Sequence, residues 1–203
     1  MPLKKIKGFT LLELIVVIVI VGIVSALAFP NFSSWKRDRE VRVAVEKIIN
    51  SFRIANTQAQ GGYYPFTQVE IRERSGWARH KIWVKVKGLS QDIIASKQNA
   101  GEAPRCAISS TYWGDIIDEK IFYNISLDYT GDAGAVCFSK DGSYYKTTKK
   151  LAGRKTLIIC HVDTHFGQCP GSASLKKPAY MIEWSRFGSM NKYKWSGSAW
   201  TRQ

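Results

Sequence analysis

Glu13 is the residue whose chemistry most needs an explanation. It stands just before the run Leu14–Phe29, sixteen residues that carry no charge and are interrupted by the small residues Gly22 and Ser25. Such a run is typical of a helix that enters a lipid bilayer. A carboxylate in this setting costs about 2.5–3.5 kcal/mol at the bilayer centre. We therefore expect Glu13 to need a positively charged partner.

Three lysines, Lys4, Lys5 and Lys7, precede the apolar run. The positive-inside rule keeps them in the cytoplasm and sends the rest of the chain outward. Three interpretations compete for this segment: a plain membrane anchor, a cleaved secretory signal, and the leader of a specialised peptidase. The triplet at residues 26–28, Ala-Leu-Ala, resembles a secretory cleavage site before Phe29. Glu13, however, has no role in either a signal peptide or a plain anchor.

The segment Lys-Ile-Lys-Gly-Phe-Thr-Leu-Leu-Glu-Leu at residues 5–14 resembles the class III leader of type IV pilins and type II secretion pseudopilins. The resemblance implies that a prepilin peptidase cuts between Gly8 and Phe9 and methylates Phe9. It also implies that Glu13 pairs with the terminal amine of a neighbouring subunit. Two unit charges at about 4 Å attract by about 4 kcal/mol at an effective dielectric near 20, which offsets much of their desolvation.

The chain beyond the apolar run predicts that the helix continues. After Pro30, no proline and no glycine occur between Asn31 and Gln60, and Gly61-Gly62 then supplies a helix end. Apolar residues recur three or four positions apart and define one buried face. These residues are Val41, Val45, Ile48, Phe52, Ala55 and Ala59.

Beyond Gly62 the apolar period changes from helical to alternating, as in half-buried strands. Strands are predicted around 69–71 and 82–86, and at 121–129, 135–140, 156–162, 179–186 and 190–195. The stretch 89–120 is predicted as a long loop or insertion with a short helix. The predicted fold class is α+β: a long N-terminal helix, transmembrane in its first half, packed on an antiparallel β-sheet or sandwich. The predicted organisation is a leader at 1–8, a transmembrane segment at 9–29, an amphipathic continuation at 30–60 and a β-rich globular domain at 61–203.

A second resemblance points to a subgroup. The helical segment Arg39–Ala44 and the hairpin Ile182–Ser189 resemble those of H-type pseudopilins and related minor pilins. This resemblance implies a subunit that is incorporated into a filament together with other pilins.

Four cysteines, Cys106, Cys137, Cys160 and Cys169, lie on the exported side, where an even number favours two disulfides. Three pairings are possible, and we favour Cys160 with Cys169, which leaves Cys106 with Cys137. A metal site at Cys160, His161, His165 and Cys169 is the alternative. Its spacing does not match paired zinc ligands, and oxidation would compete for both sulfurs. We therefore expect no metal and no cofactor.

The net charge of +14 indicates a basic protein. Within the last 32 residues, six basic side chains and one acidic one are interleaved with aromatic rings, a mixture suited to phosphate contact and base stacking. The candidate DNA-binding residues are Arg186, Lys192, Lys194, Trp195, Trp200 and Arg202. We expect Trp200 to lie outside the last strand as the most exposed ring, and the charges to contribute little to stability. The alternative is that the rings form sheet core while the cations are solvated or contact acidic partners.

Motifs of catalysis are absent from the sequence, which has no Gly-x-Ser-x-Gly, no phosphate-binding glycine loop and no His-Glu-x-x-His. We therefore predict a structural protein rather than an enzyme: a minor type IV pilin or pseudopilin held in the bacterial inner membrane and then assembled into an extracytoplasmic filament. The alternatives are a pilin-type DNA receptor and a monotopic anchored or secreted β-domain. The expected partners are other pilins, prepilin peptidase, the inner membrane and, for the receptor, DNA.

Overall fold

The structure is a computed structural model. It describes residues 9–74, 81–101, 113–128, 134–141, 144–146, 155–162, 169–170, 174–185 and 187–203, with the side chains of 26–31, 74 and 144–146 excepted. The chain divides into two compact units, Met1–Arg37 and Asp38–Gln203.

Two helices and ten strands are formed by the described residues. In chain order they are α1 (Leu11–Gln60), β1 (Phe66–Arg74), β2 (Lys81–Leu89), α2 (Gln91–Asn99), β3 (Asp115–Tyr123), β4 (Ile125–Leu127), β5 (Gly134–Ser139), β6 (Tyr144–Lys146), β7 (Thr156–His161), β8 (Ala179–Trp184), β9 (Met190–Trp195) and β10 (Trp200–Arg202).

The strands form two five-stranded sheets. Sheet A has the order β3-β2-β1-β5-β6, and sheet B has the order β10-β9-β8-β7-β4. All described pairings are antiparallel. The prediction of an α+β fold with a long N-terminal helix on antiparallel sheet is confirmed.

Helix α1 ends at Gln60, directly before Gly61 and Gly62, as the sequence predicted. The Gly61 N–H donates to the Thr57 carbonyl at 2.8 Å, and Gly62 adopts a φ of +74°. This left-handed conformation costs a glycine little, which explains why the helix stops here.

The predicted stripe of the second half of α1 is fully buried, with each of its six residues at most 1% exposed. These side chains share one core with apolar residues of both sheets. Phe52 lies at its centre, with its ring centroid 6.3 Å from that of Phe138 in β5 and 5.2 Å from that of Trp184 in β8. The helix therefore joins the two sheets through a single apolar core.

The predicted strand at 121–129 is wrong in one respect, because two strands of different sheets occupy this stretch. β3 ends at Tyr123 in sheet A, and β4 begins at Ile125 in sheet B. Asn124 between them has a φ of +62°, a conformation that asparagine tolerates better than most residues. Its bend allows the chain to pass from one sheet to the other.

The stretch 89–120, predicted as a loop with a short helix, contains α2 and most of β3. Ile94 of α2 packs with Leu89, Trp113 and Cys137 in a second apolar cluster. The three-residue strands β6 and β10 were not predicted, since segments this short carry little periodicity.

Candidate functional site

The start of α1 places Thr10 and Glu13 in contact. The Glu13 N–H donates to the Thr10 hydroxyl oxygen at 3.3 Å, and the Leu14 N–H donates to the Thr10 carbonyl at 3.2 Å. Thr10 is therefore the N-cap, and Glu13 lies in the first helical turn, where the helix dipole favours a negative charge. The Thr-x-x-Glu spacing of a capping box was a signal for this contact that the sequence analysis missed.

The first half of α1 exposes apolar side chains on every face. Phe9 is 84% exposed, and each large apolar residue from Leu11 to Val24 is at least 49% exposed. Gly8, the other residue of the predicted cleavage site, lies outside the described residues. A continuous apolar surface of this kind marks a site that contacts lipid or another protein.

Across the part of the chain that the structure describes, no helix combines the length and the apolarity needed to cross a membrane.

The second half of α1 carries polar side chains that contact sheet B. Asp38 lies 2.9 Å from the Lys194 ammonium of β9, and the Tyr180 hydroxyl of β8 donates to the same carboxylate at 3.1 Å. His161 Nε2 of β7 lies 3.0 Å from the Glu40 carboxylate. We call the full set the helix–sheet seam: Asp38, Glu40, Arg42 and Glu46 of α1, with His161, Tyr180, Lys192 and Lys194 of sheet B.

Charges within the helix–sheet seam support one another. A hydrogen bond with Asp38 raises the pKa of Lys194, and the ammonium also lies 5.6 Å from the centroid of the Tyr180 ring. A hydrogen bond with the Tyr180 hydroxyl raises the pKa of Arg42. Each cation is thus held in its charged form by a partner from the opposite element.

Two of the candidate DNA-binding cations lie in the helix–sheet seam. Lys192 forms an ion pair with Glu46, and Lys194 forms one with Asp38. Both side chains bind α1 of their own chain instead of being fully solvated. We therefore expect their removal to lower the stability of the fold. Arg202 is exposed and donates to the Asn191 amide oxygen at 2.8 Å, whereas Arg186 lies outside the described residues.

The candidate stacking rings also differ from the prediction. Trp195 is only 6% exposed and donates its indole N–H to the Leu175 carbonyl at 2.9 Å. Trp200 was expected outside the last strand as the most exposed ring. Instead it begins β10 and packs against Trp195, with the ring centroids 5.1 Å apart. The exposed aromatic residue of this region is Phe187, in the turn between β8 and β9. The rings divide between two apolar clusters: Tyr180 and Trp184 of β8 lie in the core shared with α1, whereas Trp195 lies in a separate cluster against which Trp200 packs.

Cys160 and Cys169 form a disulfide, the pairing that the sequence analysis favoured, with their Cα atoms 5.9 Å apart. Both sulfurs are therefore unavailable as thiolate ligands for a metal. Cys137 is also disulfide-bonded. Cys106 and His165 lie outside the described residues.

Comparison with known protein families matches residues 3–29 to the prokaryotic N-terminal methylation motif. Two fimbrial proteins of Pseudomonas aeruginosa are 39% identical over 123 residues, which cover 52% of this chain and 78% of each relative. The type IV narrow pilus major component PilA5 of Thermus thermophilus is 40% identical over 58 residues, which cover 27% of this chain and 50% of the relative. No solved structure shows a significant match. The leader motif and the extent of these similarities lead to one conclusion: the chain belongs to the type IV pilin family.

Proposed function

We propose that this protein is a minor pilin or pseudopilin subunit that is cleaved between Gly8 and Phe9, held in the inner membrane through residues 9–29, and then assembled into a filament. The observation that supports the proposal most strongly is the exposed apolar half of α1. The family is structural and not enzymatic, and the relatives are named as fimbrial and pilus proteins.

The exposed surface of α1 explains why the subunit needs two environments. Burial of apolar surface stabilises by about 25 cal/mol per Å², so side chains exposed on every face of a helix favour transfer out of water. Lipid provides this environment before assembly, and the helices of neighbouring subunits provide it in the filament. Storage in the membrane and packing in a filament thus both remove the apolar surface of α1 from water.

Glu13 is the residue that distinguishes the two environments. In lipid its carboxylate is costly, whereas in a bundle of helices the methylated amine of Phe9 from a neighbour would neutralise it. The Thr10 cap keeps Glu13 in the first turn, beside the position of the new terminus. We infer that this charge pair fixes the register between adjacent subunits.

The names of the relatives favour a pilus over a secretion pseudopilus, and the H-type resemblance favours a minor subunit.

Intact mass of the mature protein tests the proposed cleavage between Gly8 and Phe9. We expect the loss of eight residues and the addition of one methyl group on Phe9. A mature chain that begins at Phe29, or one that retains Met1, would contradict the proposal.

Filament incorporation tests the role of Glu13. We expect Glu13→Val to be inserted and cleaved but to enter filaments poorly, because it lacks the carboxylate that pairs with the neighbouring amine. Asp92→Asn is the matched control, since it neutralises an exposed carboxylate in the first turn of the other described helix. Normal assembly of Glu13→Val would exclude the charge pair.

DNA reception is the second candidate function, favoured by the net charge of +14. Because Lys192 and Lys194 are bound to α1, the remaining described candidate cation is Arg202. If the C-terminal face binds DNA, Arg202→Gln should weaken binding and reduce its dependence on salt. A full-length chain without DNA binding at low salt would remove this candidate.

A further inference from the structure

Two aromatic side chains on α1 have no role in the core. Phe32 is 63% exposed and Trp35 is 55% exposed. Their ring centroids lie 5.7 Å apart with an angle of 34° between the planes. They are three residues apart and therefore share one face of the helix. Lys36, which is also exposed, follows directly.

Their position along the helix matches the edge of a bilayer. The apolar run ends at Phe29, and residues 9–29 number 21, close to the roughly 20 residues that cross the hydrocarbon core. At 1.5 Å per residue, Phe32 and Trp35 lie about 4.5 Å and about 9 Å beyond that end. Helical side chains tilt toward the N-terminus, so both rings reach back toward the lipid.

The headgroup layer is about 5–7 Å deep on each side of the core, which is the depth that these rings would occupy. Tryptophan is enriched in this layer because its ring is apolar while its indole N–H needs a polar partner. The ammonium of Lys36 then stands at the level of the lipid phosphates.

We propose that Phe32, Trp35 and Lys36 form an interfacial anchor that binds phospholipid headgroups of the outer leaflet of the inner membrane and prefers anionic ones. The anchor fixes how deeply the helix is inserted before assembly. This inference rests on the proposed membrane storage through residues 9–29.

A lipid surface is a better occupant for this face than a soluble partner. The rings lie on the same helix as the exposed apolar surface of residues 9–25, and the cation follows them in the order in which a bilayer changes from apolar to anionic. A face formed for a soluble protein would have no need for this order.

The test uses the full-length chain in phosphatidylcholine vesicles with and without phosphatidylglycerol. Brominated lipids carry the quencher either near the headgroup or near the chain end. The emission of Trp35 is obtained as the difference between the wild type and Trp35→Phe, which retains an aromatic ring. We expect shallow bromines to quench most of this emission and deep bromines to quench little of it.

Two further variants sharpen the result. If the anchor prefers anionic headgroups, phosphatidylglycerol should increase the quenching of Trp35 by shallow bromines, and Lys36→Gln should abolish this increase. The wild type and Trp35→Phe should remain equally inserted in the vesicles. Trp83→Phe is the matched control, because Trp83 lies in β2 and its emission should not respond to either quencher.

The outcomes separate the anchor from membrane storage. A chain that alkaline carbonate removes from the vesicles would contradict the storage proposal itself. A chain that stays inserted while Trp35 is unquenched, or is quenched by deep bromines alone, would overturn the anchor and leave storage intact. Emission of Trp35 that changes with the protein-to-lipid ratio would assign this face to a second copy and would also overturn the anchor.

Discussion

The two halves of α1 are both rich in apolar residues, yet they contact entirely different surroundings. Residues 9–25 expose their apolar side chains on every face, whereas six apolar residues between Val41 and Ala59 are buried against both sheets. The first half has the higher density of apolar residues, whereas in the second half the apolar residues recur with the period of a helix. Periodicity, and not density, therefore determines which half folds into the subunit's own core.

The carboxylates of the two halves differ in the same way. Asp38 accepts a hydrogen bond from Tyr180 and pairs with Lys194, so its charge is satisfied within the subunit. Glu13 contacts the Thr10 hydroxyl through its backbone N–H, and its proposed partner belongs to a neighbour. Under the proposed charge pair, Glu13 obtains its partner through assembly, whereas Asp38 finds its partner within the folded subunit.

A pair of identical substitutions tests this difference most strongly. Ile48 is fully buried and Ile18 is 61% exposed, and both lie in α1. We expect Ile48→Ala to lower the free energy of unfolding of the globular unit by about 2–5 kcal/mol, because it leaves a cavity in the core. Ile18→Ala should leave that value unchanged. Denaturant unfolding of the full chain in detergent, followed by near-ultraviolet circular dichroism, measures both; equal effects would contradict the comparison.

The carboxylates provide the second test. Asp38→Asn should destabilise the globular unit by about 1–3 kcal/mol, since it weakens a hydrogen bond to a charged group and leaves Lys194 without its partner. Glu13→Gln should leave this unfolding unchanged and affect assembly instead. A double-mutant cycle with Lys194→Gln isolates the pair. Additive effects of Asp38→Asn and Lys194→Gln would show that the ion pair contributes nothing.

Two threonines give a smaller effect. The buried Thr67 hydroxyl donates to the Ala55 carbonyl of α1 at 2.7 Å, and Thr67→Val should cost about 1 kcal/mol of unfolding free energy. Thr10→Val removes the helix cap instead. It should accelerate amide hydrogen exchange at Glu13 while the unfolding midpoint stays the same, which mass spectrometry of the exchanged peptides would detect.

The smallest expected effect is a change with pH. Burial raises the pKa of Glu70, but hydrogen bonds from Lys87 and Arg72 outweigh it, so the pKa in the folded state lies below its ordinary value of 4.5. This carboxylate therefore contributes stability above about pH 4.5 that is lost as the pH falls through the folded pKa. We expect Glu70→Gln to flatten the acid side of the stability profile, and Lys87→Gln to do so partly. An unchanged profile would show that these contacts do not shift the titration.

The sequence predicted the features that repeat along the chain. The buried stripe of α1 follows from its spacing, and β1, β2, β5, β7, β8 and β9 follow from alternation. It did not predict the bend at Asn124, because one residue of positive φ leaves no periodic signal.

The helix–sheet seam was also missed. Asp38 and Tyr180 are 142 residues apart in the chain, and a contact over that distance depends on the tertiary fold. For the same reason, the sequence predicted Lys192, Lys194 and Trp195 as DNA-binding candidates and Trp200 as the most exposed ring. Composition indicates which side chains a face contains, but register and topology decide which of them remain accessible.

The seam also bears on how the subunit responds to force. In the proposed filament, tension would load the subunit along its helix, and the seam involves α1 residues between 38 and 46, over about 12 Å. A pull along the axis of α1 would therefore load the contacts of the seam simultaneously, in shear. A pull across the axis would load them one after another. Rupture in shear requires several bonds to break at once, so we expect the seam to resist a pull along the helix more strongly than a pull across it.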